Sequence, residues 1–109
     1  MKIFISLLTT FMISTTTQAT DYKCESKQEG LCIRYSGQEN DSRFQEIKKI
    51  CEQNSGQMEL GFCPRDQVVG RCLFMDDIVT YYYSYIFNDY DAETTCNYSY
   101  GKYKKGFGN

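Results

Sequence analysis

The sequence predicts a small disulfide-stabilised α+β domain, in which two repeated strand–helix–strand units share antiparallel strands and the second unit adds a hairpin. Three observations support this fold class. The chain of 109 residues begins with a segment typical of export. It contains six cysteines but no histidine. Its remainder divides into two segments of similar pattern, each of which holds one predicted helix.

Residues 1–19 have the parts of a secretory signal peptide. Lys2 supplies the positive charge, an apolar stretch of 11 residues follows, and small residues precede an expected cleavage site after Ala19. The apolar stretch is shorter than the roughly 20 residues of a membrane-spanning helix. We therefore expect cleavage, with an uncleaved anchor as the alternative. The mature part, residues 20–109, is predicted to be a single secreted or periplasmic domain without a transmembrane anchor.

The cysteines all lie in this mature part, at Cys24, Cys32, Cys51, Cys63, Cys72 and Cys96. An even number of cysteines in a short exported chain indicates a disulfide framework. A domain of this size buries only about 60% or slightly more of its unfolded surface. Three bridges, each worth about 2–4 kcal/mol, would supply the stability that the core lacks. The absence of C-x-x-C and of histidine argues against a thioredoxin-like site and against a zinc site.

The repeat divides the chain into repeat one, residues 24–62, and repeat two, residues 63–107. Each repeat begins with two cysteines, the second of them preceded by Gly-x, and continues through a Tyr-Ser pair. The last 16 residues of the repeats align without a gap at an offset of 45. Both aligned segments end in the dipeptide Gly-Phe, at 61–62 and at 106–107. Such self-similarity indicates repeated structural units.

The repeat also limits the disulfide pairing, for which six cysteines allow 15 connectivities. Each repeat holds three cysteines, so at least one bridge must join the repeats if all are paired. We predict a pattern that ties each Gly-x-Cys strand to the helix of its own repeat. The predicted bridges are Cys32–Cys51, Cys72–Cys96 and, between the repeats, Cys24–Cys63.

One helix is predicted in each repeat. In repeat one, Ser42 and Gln45 have the spacing of a capping box, and apolar residues follow at helical spacing. Gly56 suits the left-handed position at the end of this helix. In repeat two, Asp91 is the expected N-cap and Gly101 the expected end. An alternating strand, "QMELGF", is predicted after the first helix.

The second repeat carries eight additional residues between its second cysteine and its Tyr-Ser pair. Two β-prone runs around Asp76-Asp77 predict a hairpin there. On its second strand, Tyr81, Tyr83 and Tyr85 would share one face. We predict that this face binds a protein or a glycan, because tyrosine offers a large contact area at little entropic cost. The alternative is that these rings fill the core.

Charge and composition exclude several function classes. Without Lys2 the chain has 11 basic and 14 acidic side chains, a net charge of −3, which does not favour nucleic acids. With no histidine and every cysteine bridged, the usual general base and thiol nucleophile are missing, so we expect no catalytic residues and no cofactor. Asp89, Asp91 and Glu93 could ligate a cation, but helix capping and first-turn acids explain them as well, and we expect no metal site.

The run "CPRDQVVGRC", followed by "VTYYYS", "AETTC" and a glycine two residues before Tyr103, resembles a pattern in small exported cysteine-rich bacterial proteins of uncharacterised function. The resemblance covers residues 63–103. It implies secretion and bridged cysteines, but no activity. The leading hypothesis is a non-enzymatic exported binding or structural protein that uses the hairpin of repeat two. The alternative is a secreted protease inhibitor or a toxin-like effector.

Overall fold

The computed structural model describes residues 19–108, so the predicted signal peptide lies outside the described residues except for Ala19. The elements are β1 (Thr20–Ser26), β2 (Leu31–Gly37), α1 (Ser42–Gln53), β3 (Met58–Leu60), β4 (Val68–Met75), β5 (Ile78–Tyr83), α2 (Asp89–Tyr98) and β6 (Lys102–Lys105). These strands form one antiparallel sheet in the order β3-β1-β2-β5-β4-β6, and the α+β class is confirmed. Neither helix of residues 19–108 is long and apolar enough to cross a membrane.

The connectivity differs from the predicted strand–helix–strand units. Each helix follows a hairpin of two strands and precedes a third strand, which returns to pair with the first strand of that hairpin. The two hairpins meet at the centre of the sheet, where β2 pairs with β5. The observed arrangement is therefore hairpin–helix–strand, twice. The turn predicted at Asp76-Asp77 is present between β4 and β5.

Both helices pack on the same side of the sheet, which we call the helix face. Helix α1 buries Phe44 and Ile47 against Tyr35 of β2. Helix α2 buries Ala92 against Tyr82 of β5. Strand residues alternate between the two faces, so the intervening positions point to the opposite side, which we call the open face. The two helices therefore cover the helix face and leave the open face to be covered by other segments.

The helix starts differ from those predicted. Helix α1 has Asp41 as its N-cap residue without a capping side-chain hydrogen bond, so the predicted capping box of Ser42 and Gln45 is wrong. The amide of Gln45 donates instead to a backbone carbonyl outside the helix, at 3.1 Å. Helix α2 is capped by Asn88, whose side chain accepts from the backbone N–H of Asp91 at 2.7 Å. Asp91 therefore lies within the first turn rather than at the N-cap.

The glycines after the helices serve the disulfides. The left-handed residues are Ser55 and Tyr100, with φ of 63° and 66°, rather than the glycines that follow them. A Cβ on Gly56 would lie 2.8 Å from a disulfide sulfur, and a Cβ on Gly101 would lie 2.2 Å from another. Real Cβ atoms essentially never come that close to another heavy atom. Each glycine therefore makes room for the disulfide that joins its helix to the sheet.

All six cysteines are paired, as Cys24–Cys51, Cys32–Cys63 and Cys72–Cys96. The predicted bridge Cys72–Cys96 is confirmed. The other two predicted bridges, Cys32–Cys51 and Cys24–Cys63, are wrong. The physical reason is strand alternation: Cys24 and Cys72 point to the helix face, where they meet cysteines of the helices, whereas Cys32 points to the open face. It can reach only a segment that crosses that face.

Candidate functional site

The tyrosines of β5 do not form an exposed stripe. Tyr81 and Tyr83 point to the open face but are only 4% and 2% exposed, and Tyr82 on the helix face is 2% exposed. Tyr85 lies beyond the end of the strand and is 47% exposed. The binding face predicted on Tyr81, Tyr83 and Tyr85 therefore lacks the exposed area that the prediction required. Two segments of the chain cover the first two rings.

The first covering segment is the β3–β4 loop, residues 61–67. Its Cys63 is bonded to Cys32 of β2. The hydroxyl of Tyr83 donates to the backbone carbonyl of Pro64 at 2.7 Å. Burial, followed by the nearby carboxylate of Glu25, raises the pKa of Tyr83 above its ordinary value, so this hydroxyl keeps its proton. A covalent bond and a buried hydrogen bond together hold the loop on the sheet.

The second covering segment is the C-terminal segment, residues 106–108. The backbone N–H of Gly106 donates to the carbonyl of Val69 at 2.9 Å. The guanidinium of Arg71 donates to the carbonyl of Gly106 at 3.1 Å. The ring of Phe107 stacks on the ring of Tyr81, with centroids 4.9 Å apart and planes at 17°. The segment is therefore fixed through both its backbone and its aromatic ring.

Between these two segments lies a cleft of about 350 Å³, which we call the aromatic cleft. It is lined by Arg34, Phe62, Cys63, Arg65, Tyr81 and Phe107. Its volume falls within the range of small-molecule sites, roughly 300–1,000 Å³. Three aromatic rings and two guanidinium groups are therefore part of its lining.

Each arginine lies over a ring. The guanidinium carbon of Arg34 is 5.9 Å from the ring centroid of Phe62, and that of Arg65 is 4.6 Å from the centroid of Phe107. Arg34 also forms an ion pair with Asp21, with 3.2 Å between Nε and Oδ1. Arg65 forms no ion pair with any residue in the described part of the chain. Its position depends on the ring, and its N–H groups remain available to an anion.

The neighbouring open-face residues add positive charge. In the register of the sheet, Tyr81 pairs with Arg71, and Arg71 pairs with Lys104. Directly paired residues of antiparallel strands share a face, so Arg71 lies next to Tyr81 and Lys104 lies one strand farther from the cleft. The carboxylate of Asp21 offsets one guanidinium. The cleft region therefore has a positive bias, although the formal charge of the chain is −2.

A larger hollow of about 620 Å³ lies where β1, β3 and the end of α1 meet. It is lined by Glu25, Ser26, Lys27, Gln28, Ser55, Gly56, Gln57 and Glu59. These described lining residues include no aromatic side chain, and most of them are exposed. Ligand sites are mostly apolar with a few placed polar groups. This hollow lacks the apolar walls that the aromatic cleft provides.

A third hollow, of about 260 Å³, lies where the start of α1 meets the β4–β5 turn. Here Tyr35 donates to Asp41 at 2.8 Å, and Arg43 donates to Asp77 at 2.7 Å. Burial and this hydrogen bond raise the pKa of Tyr35 to about 12. The backbone N–H of Gln38, then the Tyr35 hydroxyl, lowers the pKa of Asp41. Asp77 Oδ1 is buried with no partner among residues 19–108. These two hydrogen bonds join the start of α1 to β2 and to the β4–β5 turn, and we call them the clasp.

Two of the three acidic residues considered as cation ligands, Asp89 and Asp91, have structural roles. Asp89 accepts a hydrogen bond from Tyr103 at 2.7 Å and lies 3.6 Å from the ammonium of Lys105. Asp89 and Asp91 both lie in the first turn of α2, where negative charge is favourable. Residues 19–108 contain no cluster of three or more side chains suited to hold a metal ion.

Most residues of the cleft were not predicted from the sequence. The residues that were not singled out as a site are Arg34, Phe62, Arg65 and Phe107. A sequence feature for two of them existed, because the dipeptide Gly-Phe occurs at 61–62 and again at 106–107, which the predicted repeat aligns with each other. The structure brings these rings to one cleft. No pattern marked the two arginines, which come from a strand and a loop.

Comparison of the chain with protein-family models, with curated proteins and with solved structures gives no match. The chemistry of the aromatic cleft is therefore the basis for proposing a function. Its rings can hold an apolar or aromatic group, and its guanidinium groups can donate hydrogen bonds to an anion.

Proposed function

We propose that the protein is an exported, non-enzymatic binding protein and that the aromatic cleft is its binding site. The observation that carries this proposal is the combination of three rings and two guanidinium groups in one concavity. Small-molecule sites generally combine apolar walls with a few polar groups that fix orientation. The predicted tyrosine surface contributes one member, Tyr81, as the floor of this cleft.

The way the cleft is held also supports binding. The disulfide Cys32–Cys63 fixes one wall, and the hydrogen bond from Tyr83 to Pro64 fixes the same loop again. The opposite wall is held by the hydrogen bond that Arg71 donates to the carbonyl of Gly106 in the C-terminal segment. A site that is ordered before its ligand arrives loses less conformational entropy on binding. The fold therefore supplies a preorganised cavity.

The test is a saturation-transfer NMR measurement of the oxidised protein with three probes of one skeleton and different charge: hydrocinnamate, hydrocinnamide and phenylpropylamine. We expect transfer to at least one probe. The substitution Phe62→Ala should abolish it, because it removes a wall of the cleft. Leu60→Ala is the matched control: Leu60 and Phe62 are 69% and 64% exposed, and Leu60 does not line the cleft.

Two results would contradict the proposed site. One is that none of the three probes receives saturation from the folded protein. The other is that Phe62→Ala and Leu60→Ala reduce the transfer equally, because binding would then depend on general surface hydrophobicity. Surface substitutions of this kind usually change stability by within about 0.5 kcal/mol, so a lost signal would report the site rather than unfolding.

Export is part of the proposal. Strand β1 begins at Thr20, directly after the expected cleavage site at Ala19. The three disulfides suit an oxidising compartment. N-terminal sequencing of the protein recovered outside the cytoplasm should therefore begin at Thr20. A protein that keeps Met1 and stays with the membrane fraction would contradict this expectation.

We also propose that the chain arose by duplication of a hairpin–helix–strand unit. The register of the sheet supports this. The row of paired residues across its six strands is Met58, Cys24, Ile33, Thr80, Cys72 and Tyr103. Counted outward from the middle of this row, Ile33 corresponds to Thr80, Cys24 to Cys72 and Met58 to Tyr103. Cys24 and Cys72 both bond to a helix cysteine. The equivalent of Cys24 would thus be Cys72, rather than Cys63 as the sequence pattern predicted. The bridge Cys32–Cys63 would then have no counterpart in the second unit.

A further inference from the structure

We propose that the ligand of the aromatic cleft is an aromatic carboxylate. Its ring would lie against Phe62, Tyr81 and Phe107, and its carboxylate would lie between Arg34 and Arg65. This inference rests on the proposed function and names the ligand class that the same site selects. Two sources share this chemistry: a free aromatic acid and the C-terminal aromatic residue of a peptide.

The charge of the ligand follows from the arginines. Arg65 has no carboxylate partner among residues 19–108. Arg34 contacts Asp21 through Nε and Ser36 through one terminal nitrogen, so its second terminal nitrogen keeps its donors. A guanidinium presents its N–H groups in a planar fork that matches a carboxylate. One unpaired and one partly paired guanidinium beside a single cavity favour an anion over a neutral or cationic group.

That the ligand carries an aromatic ring is inferred from the contacts that Phe107 makes within the protein. The ring centroid of Phe107 lies 4.9 Å from that of Tyr81 and 4.6 Å from the guanidinium carbon of Arg65. The ring centroid of Phe62, which also lines the cleft, lies 5.9 Å from the guanidinium carbon of Arg34. A ligand ring placed between Phe62 and Phe107 would make the same kind of aromatic contacts. A ligand ring in the cleft would therefore have neighbours of the same kind as Phe107 has, an aromatic ring and a guanidinium group.

The experiment compares affinities of the oxidised protein for hydrocinnamate and for its neutral amide by NMR titration. We expect the carboxylate to bind about tenfold more tightly, as hydrogen bonds to charged groups at a partly enclosed site imply. Phenylpropylamine should bind more weakly than the amide, because its ammonium would face the two guanidinium groups. Raising the ionic strength should reduce the preference for the carboxylate.

The variants separate the cleft from the general charge of the face. Arg65→Met keeps an apolar contact with Phe107 while it removes the charge, and it should reduce the carboxylate-to-amide affinity ratio about three- to fivefold. Lys104→Met is the matched control, since Lys104 lies on the same face but does not line the cleft. It should leave the ratio within about a factor of two, the effect of a distant screened charge.

A second pair of probes distinguishes the two sources. Acetyl-glycyl-phenylalanine carries the carboxylate of a peptide terminus, and its amide lacks that charge. If the peptide acid binds more tightly than hydrocinnamate and its amide does not, the partner is a peptide C-terminus. If hydrocinnamate binds and the peptide acid does not, the ligand is a free acid. Either result supports the carboxylate class.

The inference fails if the neutral amide or the amine binds in the cleft as tightly as the carboxylate, or if Arg65→Met leaves the ratio unchanged. In both cases Phe62→Ala would still abolish binding, and the proposed function would stand without its ligand class. If no probe binds at all, the proposed function itself fails. The two failures are therefore distinguishable within one set of titrations.

Discussion

The two faces of the sheet contain similar side chains but are closed in different ways. On the helix face, two disulfides tie α1 and α2 directly to strands, and the rings are enclosed by helix side chains. On the open face, one disulfide ties down a loop, and a short C-terminal segment covers the rest. Helices leave a closed core, whereas two extended segments leave a gap between them. That gap is the aromatic cleft.

Adjacent residues of β5 show why burial alone does not reveal this difference. Tyr82 and Tyr81 are both almost fully buried. Tyr82 packs in a T-shaped contact with Phe87, at 4.9 Å, within the core that α2 covers. Tyr81 packs against Phe107 and also forms the floor of the cleft. The neighbours of a ring, rather than its exposure, therefore distinguish the closed core from the lining of the proposed binding site.

The largest expected contrast in stability is between Tyr82→Ala and Tyr81→Ala. We expect Tyr82→Ala to lower the free energy of unfolding by about 3–5 kcal/mol, since it leaves a closed cavity beneath α2. Tyr81→Ala should cost roughly half as much, because the space that it leaves opens into an existing cleft. Urea unfolding with the disulfides intact measures both values. Equal losses would show that the open face is packed as tightly as the helix face.

A second contrast concerns the glycines beside the helix-face disulfides. Gly101→Ala should lower the free energy of unfolding by about 2–3 kcal/mol and Gly56→Ala by about 1–2 kcal/mol, as overpacking of a core does. The order follows from the shorter Cβ-to-sulfur distance at Gly101, 2.2 Å against 2.8 Å. In a background that lacks the Cys72 and Cys96 sulfurs, Gly101→Ala should lose most of its cost. An unchanged cost there would mean that steric conflict with the sulfur is not the cause.

A third contrast compares two tyrosine hydroxyls that donate at the same distance, 2.7 Å. Tyr103→Phe on the helix face removes a bond to the carboxylate of Asp89 and should cost about 1–2 kcal/mol. Tyr83→Phe on the open face removes a bond to the carbonyl of Pro64 and should cost about 1 kcal/mol. Only Tyr83→Phe should also weaken hydrocinnamate binding, because it loosens a wall of the cleft. If Tyr103→Phe weakens binding equally, the faces are not independent.

The smallest expected effect is the acid sensitivity of the clasp at the start of α1. The pKa of Asp41 is lowered by the backbone N–H of Gln38 and then by the Tyr35 hydroxyl. Because the folded-state pKa is lowered, this stabilisation is present above the unfolded value of about 3.9 and is lost as the pH falls below it. Urea unfolding at neutral pH and near pH 3 should show that Asp41→Asn reduces this loss. An unchanged pH dependence would contradict the role of Asp41.

Local features of the fold were predictable from the sequence. The spacing of Phe44, Ile47 and Cys51 identified α1, and two β-prone runs around Asp76-Asp77 identified the β4–β5 hairpin. The pairing of Cys32 was not predictable, because it depends on which face of β2 the residue occupies. That assignment requires the register of the sheet, and a shift of one residue reverses it.

The aromatic cleft was less predictable than the fold. Its lining comes from β2, the β3–β4 loop, β5 and the C-terminal segment, which are far apart in the chain. The run of tyrosines indicated β5, the strand that contributes Tyr81 to the cleft. Which of its rings are exposed depends on the face of the sheet to which each points and on the segments that cover that face. The more informative feature was the repeated Gly-Phe dipeptide. Arg65 occupies a polar loop, where the sequence alone does not distinguish it from other solvated charges.

The most direct test of the division between the faces is an amide chemical-shift map of the oxidised protein at saturating hydrocinnamate. We expect the largest shifts on the open face, at Arg34, Phe62, Arg65, Tyr81 and Phe107. Residues of the helix-face cores, such as Phe44 and Ala92, should shift little. Shifts concentrated in α1, α2 or the hollow beside Asp41 would contradict the assignment of binding to the open face.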